Sequence, residues 1–185
     1  MDRTLVERAR DGDHEAFAAV ASASVDRLFA VAKLILRDED RANDAVQEAL
    51  IAAWRGIRAL READAWNAWL HRLVIRACYR LSGRERRSPI VELRLVEERP
   101  STGDEAGQVA DRDQLERAFR RLAVDQRAVL VLRHYLGLSM AETAEILGIP
   151  TGTAKSRLHR ATEAMRAALD ADARTATVVL EEQSL

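Results

Sequence analysis

Proline and glycine are scarce in this chain, with three and eight among 185 residues. Both break helices, so their scarcity predicts a mostly helical protein. The single cysteine, Cys78, excludes an internal disulfide. It shares a helical face with Leu70, Leu73, Val74, Ala77 and Leu81 and reads as a core residue rather than a reactive thiol. No apolar run approaches the length that crosses a bilayer, and residues 1–7 are charged and lack the apolar stretch of a signal peptide. A cytoplasmic protein without membrane insertion is expected. The histidines, His14, His71, His134 and His159, have no metal-ligand spacing. There is no Gly-rich phosphate loop and no nucleophile elbow. Neither a metal, nor a cofactor, nor catalysis by the chain itself is expected.

Charge is present in abundance and unevenly placed. Within residues 66–87 six arginines (72, 76, 80, 84, 86, 87) stand against one acid, Glu85, a local +5. Within 149–168, Lys155, Arg157, Arg160 and Arg166 stand against Glu163, a local +3. Within 38–48 five acids (38, 39, 40, 44, 48) stand against Arg41, a local −4. Two basic segments suggest surfaces for a polyanion, and the acidic one suggests a surface for a basic partner. Any one run also fits a merely solvated helix face, so motifs must decide.

Three amphipathic tracts are predicted in the first half, at about 13–37, 40–57 and 64–81. The second has the cleanest period: Ala42, Ala45, Val46, Ala49, Leu50, Ala53, Trp54 and Ile57 form one stripe. Asp40, Asp44, Gln47, Glu48 and Ile51 line a different face and suit an arginine-rich partner helix. The three tracts bury one another as a small bundle. Residues 84–112, rich in turn formers, read as a linker. Periodicity resumes at Leu115, and Asp125 is placed to cap a helix carrying Ala128, Val129, Val131, Leu132 and Tyr135. Ser139 and Glu142 form a capping-box pattern, Gly148 stops the short helix it opens, and Pro150 starts a longer one. The result is an all-α chain of two small helical domains, 1–83 and 113–169, joined by a flexible linker and followed by a tail, 170–185. Stripes at 28–35 and 129–135 would lie partly uncovered between the domains, open to a partner's apolar helix.

Residues 139–168 form a helix-turn-helix pattern. Its second helix presents Thr151, Thr153, Lys155, Ser156, Arg157, His159 and Arg160 on its outer face. Small polar residues near the helix start let it enter a major groove, and the cations can meet guanine edges or phosphates. In the third tract, Arg72, Arg76, Arg80 and Arg84 recur every four residues and can hold a separated DNA strand. Trp66 stands open between stacking on an unpaired base and packing in the core. Trp69, beside Leu70 and Leu73, reads as core. The residues alone also fit a stand-alone DNA-binding regulator, or a helical adaptor. The acidic tract argues against the first, and the basic segments against the second.

The segment "LSMAETAEILGIPTGTAKSRLHRA" resembles the last helix-turn-helix of extracytoplasmic-function members of the sigma-70 family, with Gly152, Thr153, Lys155, Ser156, Arg157 and Arg160 in the family's pattern. "DEDRANDAVQEALIAAWR" is similar to that family's polymerase-docking helix, and "AWNAWLHRLVIRACYRLSGRERR" to the segment that opens the −10 element. The resemblance implies a sigma factor that uses Asp40, Asp44, Gln47, Glu48 and Ile51 to bind a coiled coil on the largest subunit of core RNA polymerase. It implies −35 duplex recognition by the second helix of the helix-turn-helix, and −10 strand capture by Trp66, Arg72, Arg76, Arg80 and Arg84. It also implies an anti-sigma protein as a partner. Two departures stand out: Arg76 occupies a position where the family often has asparagine near a flipped base, and Arg80 replaces a commonly acidic residue.

Overall fold

The computed structural model describes residues 2–85 and 106–182, with side chains over 2–83 and 113–171. The described residues are helical throughout, with no strand. The amino-terminal half comprises α1 (Arg3–Arg10), α2 (His14–Leu36), α3 (Glu39–Gly56) and α4 (Trp66–Glu85), with two short 3-10 turns between α3 and α4. Aspartates start three of these helices. Asp2, Asp13 and Asp38 accept from the backbone N–H groups of Thr4, Ala16 and Arg41 at 2.9, 3.0 and 2.9 Å, which satisfies donors that a helix start leaves orphaned. Arg37 ends α2 in the left-handed region, at φ 60°, a conformation uncommon outside glycine. The α3 stripe is small: Ala42, Ala45, Ala49 and Ala53 are buried, so α3 packs closely on both α2 and α4. Helix α1, which the periodicity did not single out, closes the bundle with Val6 and Ala9.

The carboxy-terminal half comprises α5 (Ala106–Arg120), α6 (Val124–Leu130), a π turn (Val131–Tyr135), α7 (Met140–Leu147) and α8 (Thr151–Glu182). The capping box forms: Glu142 N–H donates to Ser139 Oγ at 3.2 Å, and Ser139 N–H donates to the Glu142 carboxylate at 2.8 Å. Gly148 stops α7 at φ 67°, where a side chain would be strained. Asp125 does not cap α6. The cap is Ala123, whose N–H donates to Gln126, and Asp125 sits one residue inside the first turn. The segment expected as a tail continues α8 to Glu182. The linker patch around Ile90, Val91, Leu93, Leu95 and Val96 lies outside the described residues, as do the side chains of Val178, Val179 and Leu180.

The two helical units share one core. Val131 and Leu132 of the π turn, with Ala128 and Ile146, belong to the same buried cluster as Leu28, Val31 and Ile35 of α2. The stripes expected to lie open between domains therefore largely cover each other, because each is the nearest apolar surface the other can reach. Arg127 crosses the seam. Its Nε donates to the Ile35 carbonyl at 2.6 Å, and its Nη1 donates to the carbonyls of Arg120 and Leu122 at 3.2 and 3.1 Å. Those carbonyls lie at or just beyond helix carboxyl termini, where a cation is favoured. Arg37 pairs with Glu116, and Arg72 pairs with Glu145 at 3.1 Å.

Candidate nucleic-acid interface

The start of α8 presents a polar strip. Thr151, Thr153, Lys155, Ser156, His159 and Arg160 are exposed, while Ala154 and Ala161 on the opposite side are buried. The capped α7, the left-handed Gly148 and the Ile149 N–H to Ala144 carbonyl bond of 3.0 Å hold the helix-turn-helix in shape. A Cβ at Gly152 would meet nothing within 4 Å, so packing does not demand that glycine. Arg157 is half-buried and differs from its neighbours on the strip: it pairs with Asp125 at 3.6 Å.

The α4 arginines are divided by their surroundings. Arg76 and Arg80 are exposed, Arg72 is half-buried against Glu145 of α7, and the Arg84 side chain lies outside the described residues. Arg80 pairs with Glu48 at 2.9 Å. His71, on the same helix, adds no charge at neutral pH, because burial, reinforced by Arg27, pushes its pKa down to about 4. Cys78 is buried and inert as a thiol, its pKa pushed up to about 12 by burial.

Trp66 is a correction. It is 0% exposed, edge-on to Phe17 with ring centroids 6.0 Å apart, and its indole N–H points to Ser24 Oγ at 3.4 Å. An indole enclosed by α2 and α4 presents no face to a DNA strand. Trp69 is half-buried, with its ring 3.3 Å from where a Gly56 Cβ would stand. Sequence reasoning passed over Tyr79, one helical turn beyond Arg76, although its spacing from Arg72 and Arg76 was available.

On α3, Asp40, Asp44 and Gln47 are exposed and Glu48 is half-exposed. Ile51, 52% exposed, adjoins them, so the acidic face carries an apolar centre of the kind that docking surfaces bury. Trp54 flanks it, its ring tilted against His14 and edge-on to Phe17, at 4.7 and 4.8 Å between centroids. No group of side chains suited to a metal ion occurs among the described residues, and no helix there is long and apolar enough to cross a membrane.

Two family models match this chain: Sigma-70 region 2 over residues 21–88 and Sigma-70, region 4 over residues 112–165. The chain is 37% identical over 160 residues to the ECF RNA polymerase sigma factor SigM of Mycobacterium tuberculosis, covering 86% of this chain and 80% of that protein. It is 32% identical to the RNA polymerase sigma-H factor of Pseudomonas aeruginosa, covering 91% and 94%, and 32% identical to the ECF RNA polymerase sigma-E factor of Escherichia coli, covering 89% and 92%. Among solved structures it resembles CnrH in complex with the cytosolic domain of CnrY, with a TM-score of 0.63 at 26% identity over 92% of this chain and 98% of that one. It also resembles the sigma factor RpoE in complex with the anti-sigma factor NepR from Bartonella quintana, with a TM-score of 0.65 at 28% identity over 84% and 98%. Matches of this identity and coverage, in the order region 2 then region 4, show that the chain belongs to the extracytoplasmic-function sigma factors of the sigma-70 family, which direct RNA polymerase to promoters.

Proposed function

We propose that this sigma factor binds core RNA polymerase through Asp40, Asp44, Gln47, Glu48 and Ile51, against a basic coiled coil of the largest subunit, and works in the cytoplasm without catalysing a reaction itself. Thr151, Thr153, Lys155, Ser156, Arg157, His159 and Arg160 read the −35 element as duplex. Arg72, Arg76, Arg80 and Arg84 hold the melted −10 strand. The observation that carries this reading is the solvent-facing strip at the start of α8, with Gly152 open beside it. Gly152, the second residue of α8, leaves room there for the close approach of a DNA backbone.

The closed arrangement cannot serve both elements at once. They lie about 25 base pairs apart by name, about 85 Å of duplex at 3.4 Å per pair. A compact chain of this length has a radius of gyration of only about 16 Å. Binding both elements therefore requires the halves to separate on polymerase, which also releases Arg72 of α4 from Glu145 of α7. An anti-sigma protein is the natural third partner. A groove of about 490 Å³ at the seam is lined by Leu34, Leu115, Phe119 and Tyr135, among others, and Leu115 and Tyr135 are largely exposed. An apolar helix would cover them.

Transcription by purified core polymerase on a random promoter library tests the reading: the factor should enrich two-element promoters, and no enrichment would refute it. Charge reversal tests the docking face. Asp44→Lys should weaken core binding about tenfold with helicity unchanged, as measured by fluorescence titration. Asp44 is the better site because Glu48→Lys would also repel Arg80. Arg160→Ala should weaken −35 duplex binding. A base-reading role costs about 1–3 kcal/mol and relaxes preference at one position, whereas a phosphate contact weakens all sequences alike.

A further inference from the structure

Tyr79 lies on α4 one turn beyond Arg76 and beside Arg80, on the helix that carries the strand-binding arginines. Its ring packs at the seam between the halves. Its hydroxyl is buried and makes no well-formed hydrogen bond, and the group close enough to stabilise it is the Arg157 guanidinium of the other half, whereas buried tyrosine hydroxyls usually have a firm partner. The groups facing it belong to the other half: Arg157 of α8 and Asp125 of α6, themselves paired, both act on its phenol. Burial raises the phenol's pKa to about 12, so the hydroxyl remains a neutral donor. In the closed form the Tyr79 hydroxyl thus sits beside Arg157, a residue of the −35 strip.

We propose that Tyr79 is a contact to the melted −10 strand, uncovered when the halves part, its ring stacking on an unpaired base while Arg76 and Arg80 hold the flanking phosphates. The assignment rests on the sigma-factor reading above and replaces Trp66 as the stacking residue. Opening the seam uncovers Tyr79 and frees Arg72 from Glu145, while Arg157 keeps its pair with Asp125 within the carboxy-terminal half. A tyrosine half-buried at a seam, its hydroxyl met only by a residue of the other half, loses that cover when the halves part. It is well placed as a group whose partner arrives later.

The test uses holoenzyme assembled from full-length factor and core polymerase, with a promoter chosen by the wild-type enzyme. Two probes of it are compared, one forked with a single-stranded −10 element and one a −35 duplex alone, with binding read by fluorescence anisotropy. Tyr79→Ala is expected to weaken forked-probe binding about tenfold, within the range of one lost base–aromatic stack, and to leave the duplex probe unaffected. Tyr79→Phe should retain forked-probe binding, since the ring remains. Equal losses on both probes would mark Tyr79 as structural and overturn the proposal, as would a Tyr79→Ala variant that binds both normally. If Tyr79→Phe is as weak as Tyr79→Ala, the stacking assignment is overturned. If Arg76→Ala weakens the forked probe while Tyr79→Ala does not, the Tyr79 assignment fails and the −10 reading of α4 stands. If wild-type holoenzyme does not favour the forked probe, both fail.

Discussion

Replacing Trp66 with alanine is expected to remove about 3–5 kcal/mol from the stability of the free factor, measured by urea unfolding. The indole is wholly enclosed. It meets Phe17 edge-on and lies 5.8 Å from Trp69 between centroids, so truncation opens a cavity between α2 and α4 that the two helices cannot fully close. Its N–H donates to Ser24 Oγ, while the Ser24 hydroxyl donates to the Val20 carbonyl at 2.8 Å; the indole therefore also satisfies the free lone pair of a buried hydroxyl. Small domains hold only about 5–15 kcal/mol in total, so the variant would be substantially weakened. Trp66→Phe keeps an aromatic body and should lose about 1–2 kcal/mol, from the missing donor and the smaller ring. Normal urea stability in Trp66→Ala combined with lost binding of a melted strand would reverse the core assignment.

Arg127→Met should part the two halves. Methionine occupies similar length but donates nothing, so the carbonyls of Ile35, Arg120 and Leu122 lose the donor they share. Each buried acceptor left unmet costs about 1–3 kcal/mol. Some will recover water as the seam loosens, so a total near 3 kcal/mol is expected. Only the bond to Ile35 spans the seam, but the other two fix the α5-to-α6 turn that presents Leu122 and Val129. Small-angle scattering should show a radius of gyration clearly above about 16 Å, and urea unfolding should divide into two steps. The same variant should bind core polymerase at least as tightly as the parent, because closure no longer competes with the binding-competent form. An unchanged radius with a single transition would show that the contacts of Val131 and Leu132 with α2 suffice to hold the seam.

The local signals proved readable because they act over a few residues. Asp13 and Asp38 cap the helices the periodicity outlined, the Ser139 and Glu142 box closes as its spacing predicts, and Gly148 takes the left-handed conformation that ends α7. Asp125 shows where local reasoning fails: capping chemistry made it a helix cap, yet it lies inside the first turn of α6 and pairs with Arg157. A competing salt bridge from another helix cannot be inferred from spacing within one helix. Trp66 fails in the same way: it lies on α4, whose apolar stripe is broad, and the side of the stripe that meets α2 rather than solvent depends on where α2 lies.

By itself the sequence determined most of the helices and caps, the helix-turn-helix and the family resemblance, since these follow from backbone propensity, capping geometry and residue order within short windows. Only the tertiary structure decided which tryptophan is core, which arginines are exposed, and that the two helical units close on a shared core. The reason is physical: burial and ion pairing are properties of pairs of surfaces far apart in the chain. Arg127 is legible as one more cation on a helix until Ile35, Arg120 and Leu122 turn their carbonyls toward it.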